Sequence, residues 1–343
     1  KRQVPKKVTI RDVARKAGVG LGTVSRVLND SPSVSQATRE RVLSAIEALN
    51  YVPSRTARRL SLGKTFTIGV IVPFFTRPSF IERLRGIEQS LKESEYDLII
   101  YNVETVQRRD ACFREVPRRE RTDGVIILSL SPRDEDIPII QQADVPVVLL
   151  DANHPSLTSL HRVVVDDVSG GRAAVDHLIG LGHRRIGYIS DFLDNPFNFT
   201  SSRYRFQGYR QALEAAGIPF RPAYHAQGEH GRTHARRLAD EMLNLPEPPT
   251  AIFAASDTQA MGVLEAARNA GLRVPEDLSV IGYDDIEIAE YLGLTTIRQL
   301  LYRSGQRSVE ILLDLLEQSP VEPVLEVLPT ELVVRATTAP VGA

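Results

Sequence analysis

The 343-residue chain is 42% hydrophobic and 25% charged, the composition of an ordinary globular protein, and its length suits two or three domains. No apolar run approaches the roughly 18 residues that a membrane helix needs, and no apolar segment follows the basic residues 1–8 as a signal peptide would require. The single Cys112 excludes an internal disulfide and a zinc site built from several cysteines. These features predict a cytoplasmic protein without a membrane partner.

The net charge of −1 hides an uneven distribution along the chain. Residues 1–64 carry 14 Lys or Arg against 4 Asp or Glu, whereas residues 65–343 carry 28 against 39. A basic end on an acidic body is typical of nucleic-acid binding confined to that end. A solvated basic tail would have the same charge, but the regular helical periodicity of this segment argues against a tail.

The basic end predicts three short helices that share one core. The first has Thr9 as its N-cap and ends at Gly18, the second ends near Asn29, and Ser35 caps the third. The side chains predicted to face inward are Ile10, Val13, Ala14, Ala17, Val24, Val27, Leu28, Val42, Leu43, Ile46 and Leu49. Helices this short are unstable alone, so residues 1–50 predict a helix-turn-helix unit.

Residues 51–64 join this unit to the body and are rich in arginine. A fourth short helix with one apolar face, Ala57 and Leu60, is one interpretation, and Gly63 would end it. A flexible basic linker is the other, and a segment so short is too small to be stably helical in isolation.

From Phe66 onward, strands and helices alternate. Near-continuous apolar strands between helices predict parallel sheets that are covered on both faces. Two sheets, with a break near residue 163, fit the number of strands better than one, and a ligand would bind between the two lobes at the carboxyl ends of the strands. The strand candidates are FTIGVIV, YDLIIYNV, DGVIILSL, PVVLLD, RVVVDD, RRIGYIS, TAIFAAS, LSVIGYDD and, more weakly, LEVLPTELVVR.

The segment TIRDVARKAGVGLGTVSRVLND at residues 9–30, and the chain that follows it to Leu60, resemble the head and hinge of the lac repressor/galactose repressor family of bacterial transcription regulators. The body resembles the same family at IGVIVP, PSFIERLRG, GLGHRRIGYIS, RFQGYRQAL, ASDTQAMG, SVIGYDD and LTTIRQ. The resemblance implies an α/β fold: an all-α headpiece at 1–50, a hinge at 51–64, and a two-lobed body like the periplasmic sugar-binding proteins at 65–343. Lobe one would comprise residues 65–162 and 294–322, and lobe two residues 163–293 and 323–343.

The resemblance assigns DNA contacts to the second helix of the headpiece. Leu21, Gly22 and Arg26 would reach base edges in the major groove, and an Arg can bind guanine bidentately. Leu21 offers only an apolar contact and Gly22 none, so Arg26 is the main reader. The residues implied to hold phosphates or otherwise contact DNA are Thr9, Thr23, Ser25 and Asn29. A small structural helical domain is the alternative.

The hinge of this family packs in the minor groove against the hinge of a second protomer. By resemblance, Leu60 occupies the position of the wedge that enters a base step, with Ala57 and Arg55 as further contacts. A wedge of this kind kinks the duplex. The implied partners are therefore palindromic operator DNA and a second copy of the chain, as a homodimer or a higher oligomer.

The cleft between the lobes is the implied site of a small effector that is sugar-like or nucleoside-like. Arg205 stands at the family's ligand-binding arginine, and its five donors suit hydroxyl groups or a carboxylate. Phe80 would form a stacking wall, while Arg77 and Ser79 depart from the family's usual residues in the same loop. The remaining candidates follow strands: Asp151, Ser256, Asp257 and Asp285, the last together with Asp284. The loop at 194–199 is longer than usual.

Each aspartate has a structural alternative as a helix N-cap or an ion-pair partner, above all Asp257, which can cap the helix that follows it. An enzyme on an α/β scaffold is one rival function, but the chain lacks phosphate-binding glycine loops and the HExxH pattern. A solute-binding protein is the other rival, suggested by the body alone. We therefore predict a ligand-controlled transcription regulator, most simply a repressor, without a cofactor or metal.

Overall fold

The computed structural model describes residues 8–52, 63–317 and 322–342. The chain divides into two compact units, residues 1–65 and 66–343, here called the headpiece and the body. Among the described residues, every helix falls short of the length and apolarity needed to cross a membrane.

The described part of the headpiece contains helices α1 (Ile10–Ala17), α2 (Leu21–Leu28) and α3 (Gln36–Ala48). The predicted ends are confirmed. Thr9 begins α1, its backbone N–H donating to Asp12 Oδ2 at 3.0 Å, and Gly18 ends α1 with φ of +64°, a conformation that suits glycine. Asn29 and Ser35 stand at the end of α2 and the start of α3.

The three helices bury one small apolar core, which includes Val13, Ala14, Ala17, Val24, Val27, Val42, Ala45 and Tyr51. Leu43 was predicted to face this core, but its side chain is 50% exposed and lies outside the core. The inward positions of α3 are Val42, Ala45, Ile46 and Leu49, which follow the helical repeat, and Leu43 lies outside that stripe. Ala45 was missed because it is small.

The body contains twelve strands and nine α-helices within the described residues. The strands are β1 (Thr67–Pro73), β2 (Asp97–Val103), β3 (Gly124–Leu128), β4 (Val147–Leu150), β5 (His161–Val165), β6 (Ile186–Asp191), β7 (His225–Gly228), β8 (Ala251–Ala254), β9 (Ser279–Asp284), β10 (Thr295–Gln299), β11 (Leu325–Leu328) and β12 (Thr330–Val333). The helices are α4 (Pro78–Leu91), α5 (Val106–Glu115), α6 (Ile137–Gln141), α7 (Asp167–Gly180), α8 (Ser201–Ala215), α9 (Arg232–Leu243), α10 (Asp257–Asn269), α11 (Glu287–Tyr291) and α12 (Leu301–Glu317).

These strands form two six-stranded sheets, as predicted for the fold class. Lobe one has the order β11-β5-β4-β3-β1-β2, and all its strands are parallel. Lobe two has the order β12-β10-β9-β8-β6-β7, in which only β12 is antiparallel. Apolar clusters cover each sheet on both faces. Strands β7 and β10 were not predicted.

The chain crosses between the lobes three times, later than predicted at each point. β5 belongs to lobe one, so the first crossing is at Asp166 and not near 163. β10 pairs with β9 and stays in lobe two, which moves the second crossing from 294 to Leu300. β11 pairs with β5 and belongs to lobe one, which moves the third from 322 to Pro329. One residue therefore separates the flanking elements at every crossing.

Candidate functional site

The outer surface of α2 presents the predicted DNA-reading residues to solvent. Leu21 is 45% exposed, Gly22 and Arg26 are exposed, and the Arg26 Nε donates to the Gly22 carbonyl at 3.1 Å. This hydrogen bond lays the arginine along the outer face of the helix. Thr9 is exposed, and Thr23, Ser25 and Asn29 are partly exposed. The three hinge candidates, Arg55, Ala57 and Leu60, lie outside the described residues.

The conformation of Gly20 explains how α2 can begin in the glycine-rich segment Gly20-Leu21-Gly22. Its backbone is extended, with φ of −73° and ψ of 156°, and it serves as the N-cap. Glycine is acceptable at an N-cap, where its carbonyl still accepts the first helical hydrogen bonds, here from Thr23 at 3.0 Å and Val24 at 3.2 Å. Only Gly22 lies inside the helix, at a cost to helix stability.

A second candidate site is the cleft between the two lobes of the body. It encloses about 550 Å³, with its open mouth included, and lies at the carboxyl ends of the strands of both sheets. Lobe one lines the cleft with Arg77, Ser79, Phe80, Arg83, Ser129 and Asp151. Lobe two lines it with Asp191, Phe199, Thr200, Ser201, Ser202, Arg205, His230, Ala255, Ser256, Gln259, Asp284 and Gln299.

Close helix packing positions two of the buried arginines. A side chain on Gly305 of α12 would overlap the backbone carbonyl of Arg83 in α4, and one on Gly171 of α7 would overlap the backbone of Arg205 in α8. The absence of a Cβ at these two positions lets each helix pair approach closely. The backbones that carry Arg83 and Arg205 are therefore held against neighbouring helices.

Arg205 lies at the floor of the cleft and is almost fully buried. Its Nε donates to Asp167 Oδ1 at 2.8 Å, its Nη1 donates to the Ala255 carbonyl at 2.5 Å, and its guanidinium carbon stacks 3.7 Å from the centre of the Tyr283 ring. Burial alone would lower the pKa of Arg205, but the carboxylates of Asp167 and Asp284 outweigh it and raise this pKa. The arginine is a fixed cation.

A chain of polar contacts crosses the cleft from lobe one to lobe two. Arg83 Nη2 lies 3.2 Å from Asp151 Oδ2 and donates to Gln299 Oε1 at 3.0 Å, and Gln299 Nε2 donates to Asp284 Oδ1 at 2.5 Å. Burial raises the pKa of Asp284 to about 6, against the opposing charges of Arg205 and Arg83. Ser129 Oγ also donates to Asp151, at 2.6 Å.

Near the mouth, Asp191 gathers a second polar group. His230 Nδ1 lies 3.1 Å from Asp191 Oδ1, Gln259 Nε2 donates to the same oxygen at 3.0 Å, and Arg77 Nη1 of lobe one lies 4.0 Å from Asp191 Oδ2. Burial pushes the pKa of Asp191 upward, but the hydrogen bond from His230 and the charges of His230 and Arg77 leave it lowered. Burial lowers the pKa of Arg77.

The structure brings seven of the nine predicted effector residues to the cleft: Arg77, Ser79, Phe80, Asp151, Arg205, Ser256 and Asp284. Asp257 and Asp285 do not line it. Asp257 is fully buried, where Oδ2 accepts from the Ile286 N–H at 2.9 Å and Oδ1 from Thr296 Oγ1 at 2.6 Å. Asp285 is ion-paired with Arg298 and Arg335, both at 2.7 Å. Both aspartates therefore have structural roles, which was the alternative to effector binding. The N-cap of α10 is Ser256, however, and not Asp257.

Sequence reasoning missed several cleft residues. Asp191 is the last residue of β6, and Ser129 directly follows β3 as Asp151 follows β4, so position at a strand end was the available signal. Asp284, which was named together with Asp285, is not among the missed residues: it is the last residue of β9 and lines the cleft, whereas Asp285 points elsewhere. Arg83, Gln299 and His230 gave no local signal, because their partners are distant in the sequence.

The cleft supplies both hydrogen-bond donors and hydrogen-bond acceptors. Its three arginines face three aspartates, and Phe80 and Phe199 add aromatic surface. Arginine offers several fixed donors and a carboxylate offers acceptors, so the two together suit a ligand that carries hydroxyl groups, each of which both donates and accepts.

Two sequence profiles match the chain. One, described as bacterial regulatory proteins of the lacI family, matches residues 9–54, and the other, described as a periplasmic binding protein-like domain, matches residues 175–338.

Three similar proteins cover the headpiece and the body together. The HTH-type transcriptional repressor CytR of Escherichia coli (strain K12) is 35% identical over 332 residues, which is 96% of this chain and 96% of that protein. The crystal structure of the lac repressor dimer bound to operator and the anti-inducer ONPF has a TM-score of 0.84 at 32% identity and covers 97% of this chain and 100% of that one. The structure of the transcriptional regulator CelR with cellobiose has a TM-score of 0.72 at 33% identity, with 96% and 100% covered.

Proposed function

Because the chain belongs to the lacI family of bacterial transcription regulators, we propose that its inter-lobe cleft binds a neutral, polyhydroxylated effector that controls its affinity for operator DNA. The family and the full-length similarity to repressors make it a gene regulator and not a plain solute-binding protein. Such a regulator acts on chromosomal DNA in the cytoplasm. The observation that carries the effector proposal is the balance of three arginines and three aspartates in the cleft.

This balance favours a neutral ligand over an anion. Arg205 lies 3.6 Å from Asp284 and is also paired with Asp167 outside the lining of the cleft. Arg83 is paired with Asp151, and Arg77 lies near Asp191, so each cation already has a carboxylate partner. An anionic ligand would have to compete with these buried carboxylates, whereas hydroxyl groups can hydrogen-bond to both members of each pair. A sugar or a nucleoside has this chemistry, and Phe80 offers an apolar face for its ring.

A thermal-shift panel of neutral sugars, nucleosides and their phosphorylated counterparts tests this proposal. We expect a neutral compound to raise the melting temperature of the protein and to change its affinity for operator DNA. Asp151→Asn should abolish that shift, since it removes the charge but keeps the size and suits the φ of +53° at this position. The matched control is Asp240→Asn on α9, away from the cleft. Stabilisation by phosphorylated compounds alone would overturn the proposed ligand class.

On the DNA side, we propose that α2 enters the major groove. Leu21, Gly22 and Arg26 would face base edges, and Thr9, Thr23, Ser25 and Asn29 would contact the backbone. Two headpieces related by a twofold axis would then bind a palindrome, with an affinity that falls steeply as salt increases. Selection of binding sites from random DNA tests this, and recovery of sequences without twofold symmetry would contradict it.

The hinge candidates Arg55, Ala57 and Leu60 stay a proposal, with Leu60 as the wedge in the minor groove at the centre of the operator. Leu60→Ala should reduce DNA bending and weaken specific binding more than non-specific binding, because the unstacked base step would lose the group that fills it. Circular-permutation gel assays measure the bend. An unchanged bend and affinity would make residues 54–62 a linker only.

We also propose that the regulator is a homodimer. The body exposes several large apolar side chains, among them Ile81, Ile99, Ile100, Tyr291 and Leu292, and Tyr291 is 84% exposed. Burial of such side chains against a second protomer would remove apolar surface from water and so favour association. Analytical ultracentrifugation of the wild type and of Tyr291→Asp tests this, and a monomeric wild type that still binds operator would overturn it.

A further inference from the structure

The loop at residues 192–200, here called the clasp loop, belongs to lobe two and is braced from within. The side-chain oxygen of Asn195 accepts from the N–H groups of Phe197 at 3.2 Å and Phe199 at 2.9 Å, and its amide nitrogen donates to the Phe199 carbonyl at 3.1 Å. Arg203 of α8 donates to the Leu193 carbonyl at 3.1 Å. The loop therefore has a defined shape of its own.

This shape projects the clasp loop onto lobe one. Phe197 packs edge-on against Phe74, with ring centroids 5.3 Å apart, and both Phe197 and Phe199 pack against an apolar core cluster of lobe one. The Asn198 side-chain amide donates to the carbonyls of Ser131 at 3.1 Å and Pro132 at 3.3 Å. Arg133 in turn donates to the Pro196 carbonyl.

The surface that receives the loop is firmly held. Asp136 accepts the backbone N–H of Arg133 at 2.7 Å and forms an ion pair with Arg109 at 2.5 Å. Arg109 is fully buried in α5, and its guanidinium lies 4.3 Å from the centre of the Phe113 ring. Because a buried ion pair of this kind is costly to break, it restrains residues 131–136 and makes this segment of lobe one rigid.

The clasp loop also borders the cleft. Phe199 and Thr200 line it, and the Arg77 guanidinium of lobe one lies 4.5 Å from the Phe74 ring centre and 5.6 Å from that of Phe199. The same short segment thus contributes to the cleft wall and to the contact between the lobes.

We propose that residues 192–200 act as an inter-lobe clasp, which holds the lobes in the arrangement seen in this structure and must release lobe one for the cleft to open wider. Apolar insertion by Phe197 and the paired hydrogen bonds of Asn198 supply the hold. The proposal goes beyond the proposed function, since it concerns the equilibrium between lobe orientations and not the identity of the effector. A ligand can shift that equilibrium only through different affinities for the two orientations.

Distance measurements between the lobes test the clasp. Glu104 and Glu229 follow the edge strands β2 and β7 on opposite lobes, and both are exposed, so Glu104→Cys and Glu229→Cys accept spin labels. Cys112 is buried, and burial raises the pKa of its thiol, which keeps it unreactive. Pulsed electron resonance on effector-free protein, with labelled subunits diluted in unlabelled ones, should give one narrow distance distribution.

Phe197→Ala and Asn198→Asp should each add a longer distance population. Asn198→Asp replaces a donor by an acceptor beside two carbonyls, and it suits the φ of +58° at this position, so it tests the hold without a cavity or backbone strain. Phe192→Ala is the matched control, because Phe192 is on the same loop but 47% exposed. Unchanged distributions in both variants, or an equal change in the control, would overturn the clasp. Since no effector is present, either result leaves the effector proposal standing.

Discussion

The outer face of α2 and the cleft of the body both contain arginine, in opposite environments. Arg26 is exposed, and its one side-chain hydrogen bond in the described structure is to the Gly22 carbonyl of its own helix. Arg205 is buried, with a carboxylate, a carbonyl and an aromatic ring as partners. An exposed arginine is available to a ligand that brings its own negative charge, as DNA does. A buried arginine is part of the fold before any ligand binds.

This difference teaches that the two sites should fail in different ways. When a buried charge is removed, its partner groups stay unpaired in a medium of low dielectric, which destabilises the fold. When an exposed charge is removed, water solvates the site, and the stability of the free protein hardly changes. Substitution of a buried arginine in the cleft should therefore change stability as well as ligand binding, and substitution of the exposed Arg26 on α2 should change DNA binding alone.

The largest expected effect is that of Arg205→Ala. It leaves Asp167 and Asp284 buried without their cation, and removal of one partner from a buried pair costs about 3–5 kcal/mol. Urea unfolding followed by circular dichroism measures the loss. Arg205→Lys should cost less, since it keeps the charge but loses the planar fork. A loss below about 1 kcal/mol for the alanine variant would mean that the pair is open to water.

The second effect is on DNA and belongs to Arg26→Ala. We expect a loss of about 1–3 kcal/mol in operator binding and relaxed selectivity at one symmetric base position, because the proposed bidentate contact of Arg26 with a base would be lost. The free energy of unfolding should stay within about 0.5 kcal/mol of the wild type. Mobility shifts on an operator and on its single-base variants measure the operator affinity and the base selectivity. Arg41→Ala, an exposed arginine on α3, is the control, and equal losses on every sequence for Arg26→Ala would place its contact at a phosphate.

The third effect is a pH dependence of stability that arises from the cleft. The pKa of Asp284 is raised to about 6 in the folded protein, so the folded state binds this proton more tightly than the unfolded chain. The contribution of Asp284 to stability is then greatest below its unfolded pKa and is lost as pH rises through about 6. Between pH 7 and pH 5 the wild type should gain about 1 kcal/mol relative to Asp284→Asn. Parallel pH profiles of the two proteins would contradict this.

The smallest effect concerns Gly22. A Cβ at this position meets no atom within 4 Å, so Gly22→Ala should stabilise the headpiece by about 0.5 kcal/mol through helix propensity. Gly18→Ala is the matched contrast and should destabilise by about 1 kcal/mol, because its φ of +64° disfavours a side chain. The thermal unfolding transition of the headpiece, followed in the full-length protein, measures the stability change in both variants. Equal signs for the two variants would contradict the assignment of Gly18 as the left-handed C-cap.

Local patterns predicted most of the fold, and long-range pairing explains most of the errors. Helix ends at Gly18 and Asn29 depend on neighbouring residues and were predicted correctly. The lobe crossings depend on which strand pairs with which, and periodicity carries no information on that. Strand β10 includes the polar residues Thr295, Thr296, Arg298 and Gln299, so its burial in the sheet could not be recognised from composition.

The site was predictable to the same extent. Position after a strand located Asp151 and Ser256 correctly, because parallel strands end at one edge of the sheet. The choice between two adjacent aspartates was not predictable. Asp284 faces the cleft and Asp285 faces Arg298 and Arg335, and those partners are 13 and 50 residues away in the chain.

The three single-residue crossings at Asp166, Leu300 and Pro329 have a mechanical consequence. Two residues on either side of one connecting residue lie at most about 7 Å apart, so each crossing is a short tether. Three such tethers leave the two lobes almost no freedom to slide or separate, and the motion that remains is rotation. A ligand in the cleft can therefore change the angle between the lobes but hardly their separation. The quantity that the body can pass on to the rest of the chain is a rotation of one lobe relative to the other.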